Sequence, residues 1–351
     1  YKDCNGGTYN IYTTWTANKY KIHFDIDLLV ADVQCLKIII RDLTSLYLGK
    51  SIPAENINWS FSKYLKENEV KGALEKKEAE QYWKKRIKHL ATKPNLPIKI
   101  SPEKIKKPIY KRRKYFIHKK GFENLERLGA LNKVTPAMVL LTAYSEVINR
   151  WSTNSKFLIN IPLFNRDIEN SDIDEVVADF TNLLLLEIDC SGNKSFKELL
   201  EDIQKQFHKD VANSAYSGVQ VQRDLASIRE GERDFAPVVF ACNLGNKLIS
   251  DECEENLGKL TYMISQTPQV WIDFQSYDVK DGVMLCWDTI DELFPEGLID
   301  SMFKAFTELI ATLIENPKAW DNHIDVLPKD QKERRKKERL ECLPSASKCL
   351  H

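Results

Sequence analysis

The sequence predicts a mixed α/β protein, α+β in two layers, on three observations. Stretches around 20–27, 270–274 and 283–287 alternate apolar and polar residues with a period of two, and 157–164 and 237–244 are dense apolar runs, all of them strand patterns. Apolar residues at helical spacing recur over 33–48, 135–151, 195–207 and 298–313. With 351 residues, 43% hydrophobic and 29% charged, the chain is long enough for two cores.

Each element has a local cause. Tyr20, Ile22, Phe24 and Ile26 alternate with Lys21, His23, Asp25 and Asp27, which predicts a strand with one buried face and His23 and Asp27 on the polar side. A helix follows over about Val33 to Leu48, with Gly49 as its stop, so Asp27 and Asp32 bracket a strand-to-helix turn. Carboxylates there either cap the helix or line a cleft. The charged stretch 67–90 reads as a surface helix with Tyr82 and Trp83 turned inward, and Pro94, Pro97 and Pro102 mark an interlobe linker. The basic run Lys104 to Lys114 is either a phosphate site or a charged strand face; a net charge of zero favours the strand face.

Thr135-Pro136 supplies an N-cap and first-turn proline, and Ser195 with Glu198 a capping box. Phe157 to Phe164 reads as a buried strand ending at Asn165-Arg166, and Val176 to Ile188 carries a further apolar run. In Ser265 to Asp288, Pro268 excludes a regular helix, Val270 to Phe274 reads as a half-buried strand, and a turn at Asp281-Gly282 leads to a second strand, after which Asp288 opens a new element. Asp273 among aromatic and β-branched neighbours is either a desolvated acid/base group or an acceptor for backbone N–H groups.

Lys+Arg and Asp+Glu both total 51, so no overall field draws the chain to nucleic acid or an anionic membrane. The eight cysteines form no C-x-x-C pair and no Cys/His cluster at ligand spacing, which predicts reduced thiols and no metal site. No apolar run approaches the length of a membrane span. Cytoplasmic localisation is the expectation.

Several segments resemble the signatures of heterocyclization domains of nonribosomal peptide synthetases, which are condensation-domain relatives. Ser265-Gln-Thr-Pro-Gln-Val, then Asp273, then thirteen residues and Trp287-Asp288 is similar to their last signature; Asp27-x4-Asp32-x2-Cys35 resembles D-x4-D-x2-S with Cys for Ser. Thr135-Pro136 to Trp151, Ala178-Asp-Phe-Thr-Asn-Leu-Leu-Leu-Leu186 and Pro237-Val-Val-Phe-Ala-Cys-Asn-Leu244 resemble further signatures in family order. In the last of these, Ala241 and Cys242 stand where the family has Thr and Ser.

The resemblance implies two chloramphenicol-acetyltransferase-like lobes in a V with a tunnel between them. It assigns 1–102 to an N-terminal lobe lacking its opening signatures, 103–325 to the C-terminal lobe, and 326–351 to a tether toward an adenylation domain. It implies amide formation between a carrier-bound acyl thioester and carrier-bound Cys, Ser or Thr, then cyclodehydration to thiazoline or oxazoline. Substrates would arrive on phosphopantetheine arms of upstream and downstream peptidyl carrier domains, with no cofactor bound directly and neither nucleic acid nor membrane as partner. Asp273, Asp27 and Asp32 are the implied catalytic residues, with Asp27 and Asp32 shaping the turn and tunnel. Gln266, Thr181, Asn182, Cys242 and Ala241, at the place of the family Thr, line the substrate site. Because Ala241 donates no hydrogen bond, the expectation is condensation with weakened or lost ring formation, Cys242, Thr181 or a water being possible substitutes. An acyltransferase using His23-x3-Asp27, although Leu28 stands where that motif has Gly, and a silent carrier-binding platform are the alternatives.

Overall fold

A computed structural model describes residues 7–52, 57, 59–71, 73–164, 166, 171–229, 236–327, 331 and 333. The chain opens with β1 (Tyr9–Thr16) and β2 (Lys19–Ile26), an antiparallel pair turned at Ala17 and Asn18, whose φ values of 45° and 64° are those of a two-residue primed turn. Helix α1 (Val33–Tyr47) follows, with Gly49 at φ 71° just beyond it; the charged stretch forms α2 (Phe61–Lys71) and α3 (Ala73–Arg86). Then come β3 (Tyr110–His118), α4 (Lys119–Leu131), α5 (Pro136–Trp151), β4 (Lys156–Phe164) and β5 (Thr181–Asp189). They are followed by α6 (Phe196–Val211), α7 (Gly218–Ile228), β6 (Val238–Lys247), α8 (Asp251–Asn256), β7 (Ile272–Val279), β8 (Gly282–Ile290) and α9 (Leu298–Glu315).

Six of the strands make one mixed sheet in the order β3-β8-β7-β6-β4-β5, parallel at β4–β6 and β6–β7 and antiparallel elsewhere. Its faces differ. On one, Tyr144 of α5 packs against Phe240, Phe274 and Trp287, and Phe306 of α9 packs against Phe274 and Trp287. These residues alternate along the strands with Asp273, Gln275 and Asp288, so the helices cover one face and those polar side chains take the other. Ala79, Trp83, Ile87, Leu90 and Leu96 belong to this same core although they precede Pro97. Thr135 caps α5 by accepting from the Met138 amide, and Ser195 and Glu198 complete their capping box.

The turn between β7 and β8 depends on Gly282: a Cβ there would lie 2.0 Å from the Ile117 carbonyl oxygen, at φ 154°. That close approach fixes the register of β3, β8 and β7.

The structure corrects several expectations. β2 has no buried apolar face: Tyr20 and Ile22 are exposed, because the hairpin pairs only with itself and no third element covers that side among the described residues. The strand at 270–274 is not half-buried; Ile272, Asp273 and Phe274 are all buried, as expected of a central strand covered on both faces. Asp288 opens no new element but lies inside β8. Arg112 and Arg113 do not form a solvated strand face; Arg112 pairs with Asp288 and Arg113 with Asp291 and Asp300. Asn165 and nearly all of the 326–351 tether lie outside the described residues.

Replacing Phe306 by Ala, which empties a fully buried aromatic position against Phe274 and Trp287, is expected to lower unfolding free energy by about 3–5 kcal/mol in urea denaturation.

Candidate active site

The face opposite the helices carries a lateral row of polar side chains. Register places Asn160 of β4 beside Val239 of β6, Val239 beside Asp273 of β7, Asp273 opposite Asp288 of β8, and Asp288 opposite Arg112 of β3. Arg112 grips Asp288 with two bonds, Nε to Oδ1 at 2.6 Å and Nη2 to Oδ2 at 2.5 Å, and neither side chain is more than 1% exposed. The Ser265 amide donates to Asp288 Oδ2 at 2.7 Å, and Tyr110 donates its hydroxyl to the Thr267 carbonyl at 2.7 Å. The segment leading into β7 is thereby drawn over this face.

Arg112 Nη2 also donates to Gln275 Oε1 at 2.8 Å, and Gln275 Nε2 donates to Asp273 Oδ2 at 3.1 Å. Asp273 is 5% exposed, and its Oδ1 accepts no hydrogen bond of ordinary geometry. Burial is the largest influence on its acidity and pushes the carboxyl up; the Ser265 side chain opposes this, the Asp288 charge adds to it, and Gln275 and Arg112 oppose it, leaving Asp273 at about 7. A buried carboxyl that exchanges its proton near neutrality, with one oxygen held and the other unpartnered, has the acidity that acid/base work needs. Asn160 Oδ1 and Arg112 Nη1 are also buried without partners, on the same face. Asn160 stands two strand spacings, about 10 Å, from Asp273.

Alternation separates the other expected residues. Ala241 pairs with Gln275 and shares the face of Asp273. Cys242 pairs with Ser276, takes the helix-covered face and accepts the Ser276 hydroxyl at 3.1 Å. Burial pushes its thiol up to about 11. Thr181, at the start of β5, is on the Asp273 face but three strand spacings across and four residues along the sheet, roughly 20 Å away. Asn182 faces the other way and donates to the Ser214 carbonyl at 2.8 Å. Gln266 is exposed, next to the anchored Ser265.

The two remaining aspartates sit elsewhere. Asp27 is exposed beside the hairpin, where its Oδ1 accepts from the Leu29 amide at 2.9 Å. Asp32 is buried and caps α1, accepting from the Cys35 amide at 2.9 Å and, at 3.1 and 3.2 Å, from Arg166 Nη2. Arg166 lies over the Phe180 ring at 4.3 Å and donates to the carbonyls of Ile173 and Val176. The pair therefore ties α1 to the connection that leads into β5. His23 stacks on Tyr12, its Nε2 2.8 Å from the Thr14 hydroxyl.

Gln275, Arg112 and Asn160 escaped the sequence reading. Gln275 lies two residues beyond Asp273, the strand spacing that shares a face; Asn160 is the lone polar side chain inside Phe157 to Phe164; Arg112 was hidden in a basic run. Among the described residues no group of three His, Cys, Asp or Glu side chains is arranged to hold a metal ion, and no helix is long and apolar enough to cross a membrane.

A model of the condensation domain matches residues 11–334. The chain belongs to the condensation-domain family. It is 37% identical over 317 residues to pyochelin synthetase PchE of Pseudomonas aeruginosa, covering 90% of this chain and 22% of that protein. To phenyloxazoline synthase MbtB of Mycobacterium tuberculosis it is 32% identical over 313 residues, covering 88% and 22%. The chain thus spans about a fifth of the length of these curated relatives. The cyclization-docking bidomain of the EpoB nonribosomal peptide synthetase from Sorangium cellulosum is similar in structure, with a TM-score of 0.81 at 28% identity over 92% of this chain and 65% of that one. The nonribosomal peptide synthetase FmoA3 shares the fold, with a TM-score of 0.83 at 24% identity over 93% and 34%. The mixed α/β architecture of this condensation domain is thereby the one expected from the signatures.

Asp32→Ala and Arg166→Ala each leave a buried charge uncompensated and are expected to cost about 3–5 kcal/mol in chemical denaturation. The double variant should cost clearly less than their sum, the mark of a direct pair.

Proposed function

We propose that this domain joins an acyl thioester carried on one peptidyl carrier domain to the amino group of cysteine, serine or threonine carried on a second, and then closes the amide to a thiazoline or oxazoline. Asp273, buried, near neutrality in its acidity and unpartnered at Oδ1, carries this reading. The similarity to the EpoB cyclization domain supports it. In the first step the amine nitrogen bonds to the thioester carbon, the carbon–sulfur bond breaks, and the pantetheine sulfur leaves as a thiol with the amine's proton. Holding the two arms together supplies much of the acceleration.

In the second step the side-chain thiol or hydroxyl adds to the new amide carbonyl while the Asp273 carboxylate takes its proton and returns it to the former carbonyl oxygen, giving a carbinolamine. The carboxylate then takes the nitrogen's hydrogen and delivers it to the departing hydroxyl, and a C=N bond and one water result. One group thus serves as base and then as acid. Carrier domains at the two ends of an interlobe tunnel, their phosphopantetheine arms, and an adenylation domain beyond the tether are the partners of this proposal. The free thiols of Cys35, Cys190, Cys242, Cys253 and Cys286 fit a reducing cytoplasmic setting. An acyltransferase mechanism through His23 gains no support, since its ring is engaged by Tyr12 and Thr14 within the hairpin.

The test loads the two carriers of the full-length protein with an acyl donor and cysteine and reads the product thioester by intact mass. A product lighter than the open amide by one water is expected. Asp273→Asn should slow ring closure by about a hundredfold or more and let the open amide accumulate. Ring closure should rise with pH through a midpoint of about 7, because the reaction starts from the carboxylate, and the Asn variant should lack that limb. Undiminished ring formation by Asp273→Asn would refute the assignment; no amide at all from the unaltered protein would identify a silent platform.

A further inference from the structure

Position 241 offers Asp273 no hydroxyl and Cys242 is turned to the other face, so besides the Ser265 side chain the carboxyl is held by something else on its own face. Gln275 lies directly across from Ala241 in the β6–β7 register and donates Nε2 to Asp273 Oδ2 at 3.1 Å. Its amide has one allowed orientation. Arg112 is a donor only, and its Nη2 meets Gln275 Oε1 at 2.8 Å, so the amide oxygen must face Arg112 and the N–H group must face Asp273. Arg112 in turn is fixed by both oxygens of Asp288, which also offsets its charge next to Asp273.

We propose that Gln275 is the positioning residue of Asp273, supplying the hydrogen-bond donation that a hydroxyl at position 241 would otherwise give, with Arg112 and Asp288 locking its orientation. The inference rests on the reading of Asp273 as the acid/base group of ring closure. It follows that the Gln275 contact at Oδ2, together with the Ser265 side chain, restricts rotation of the carboxyl without any charge being added beside it.

Gln275→Leu in the full-length protein should lower the ratio of ring to open amide by about a hundredfold, as expected when a reacting group is misplaced, while leaving amide formation in place. Its pH midpoint should move above about 7, because the carboxylate loses a donor. Adding Ala241→Thr to the same chain restores a donor from the neighbouring strand and should recover most of the ratio. Gln275→Glu keeps the contact to Arg112 but turns a second acceptor toward Asp273, should raise the midpoint further, and serves if the leucine variant does not fold. The Asp273 carboxyl is also followed without turnover, by 13C NMR titration. A folded Gln275→Leu protein with an unmoved ratio and an unmoved titration overturns the proposal. A ratio insensitive to Asp273→Asn places the failure in the role of Asp273 instead; if the unaltered protein forms no ring, the titration decides the Gln275 contact by itself.

Discussion

The buried pair of Arg112 and Asp288 constrains everything on the working face of the sheet. Removing two charges from water costs several kcal/mol per ion, which close two-point geometry and further hydrogen bonds offset. Here two guanidinium nitrogens meet both carboxylate oxygens, the Ser265 amide adds a third donor to Asp288, and Gln275 takes the spare donation of Nη2. One guanidinium can neutralise one of the two aspartates that face each other across β7 and β8. The register gives it to Asp288, so Asp273 is left buried beside a charge of its own sign and its proton is held to about 7. Which carboxyl receives the guanidinium and which is left without a cation is thus decided by strand pairing. A slip of one residue would exchange the faces, and the contact between Gly282 and the Ile117 carbonyl opposes such a slip.

The same alternation governs what can stand in for the hydroxyl missing at residue 241. Sequence adjacency makes Cys242 an attractive substitute, yet its sulfur accepts from Ser276 among the aromatic residues packed by α5 and α9. Thr181 shares the right face but stands at the sheet's edge strand. Gln275 is on the right face and on the same strand as Asp273, two residues along, and its side chain reaches the carboxyl that a β-carbon substituent on β6 would have faced from the neighbouring strand.

Much of the fold could be read from periodicity, because strands and capped helices have strong local causes. The cap at Thr135, the capping box at Ser195, the break at Pro268 and the two strands around Gly282 are all where local chemistry puts them. Burial was less legible. Period two marks a strand but does not say whether a second layer lies on its other side, so β2 was expected to be covered and is open, whereas β7 was expected to be half open and is enclosed. At the site, Asp273 stood out as a carboxyl among aromatic residues. Arg112 did not, since a cation in a run of cations looks solvated until the residue opposite it, 176 positions away, is known.

Asp32 shows why burial and a carboxyl do not by themselves make a reactive group. One of its oxygens caps α1 at the Cys35 amide; both accept from Arg166; and Oδ2 also takes the Phe180 amide at 3.4 Å. A proton acceptor with every lone pair engaged has to break structure in order to act. Cys35, in the place of a family serine, belongs to the same joint: its sulfur accepts from the Ala178 amide at 3.2 Å and donates to the Ala178 carbonyl at 3.0 Å. Burial raises that thiol to about 11, so it remains protonated and keeps the donor role a hydroxyl would have. The exchange of Ser for Cys therefore preserves a fastening between α1 and the approach to β5, whereas Oδ1 of Asp273 is buried without a hydrogen-bond partner.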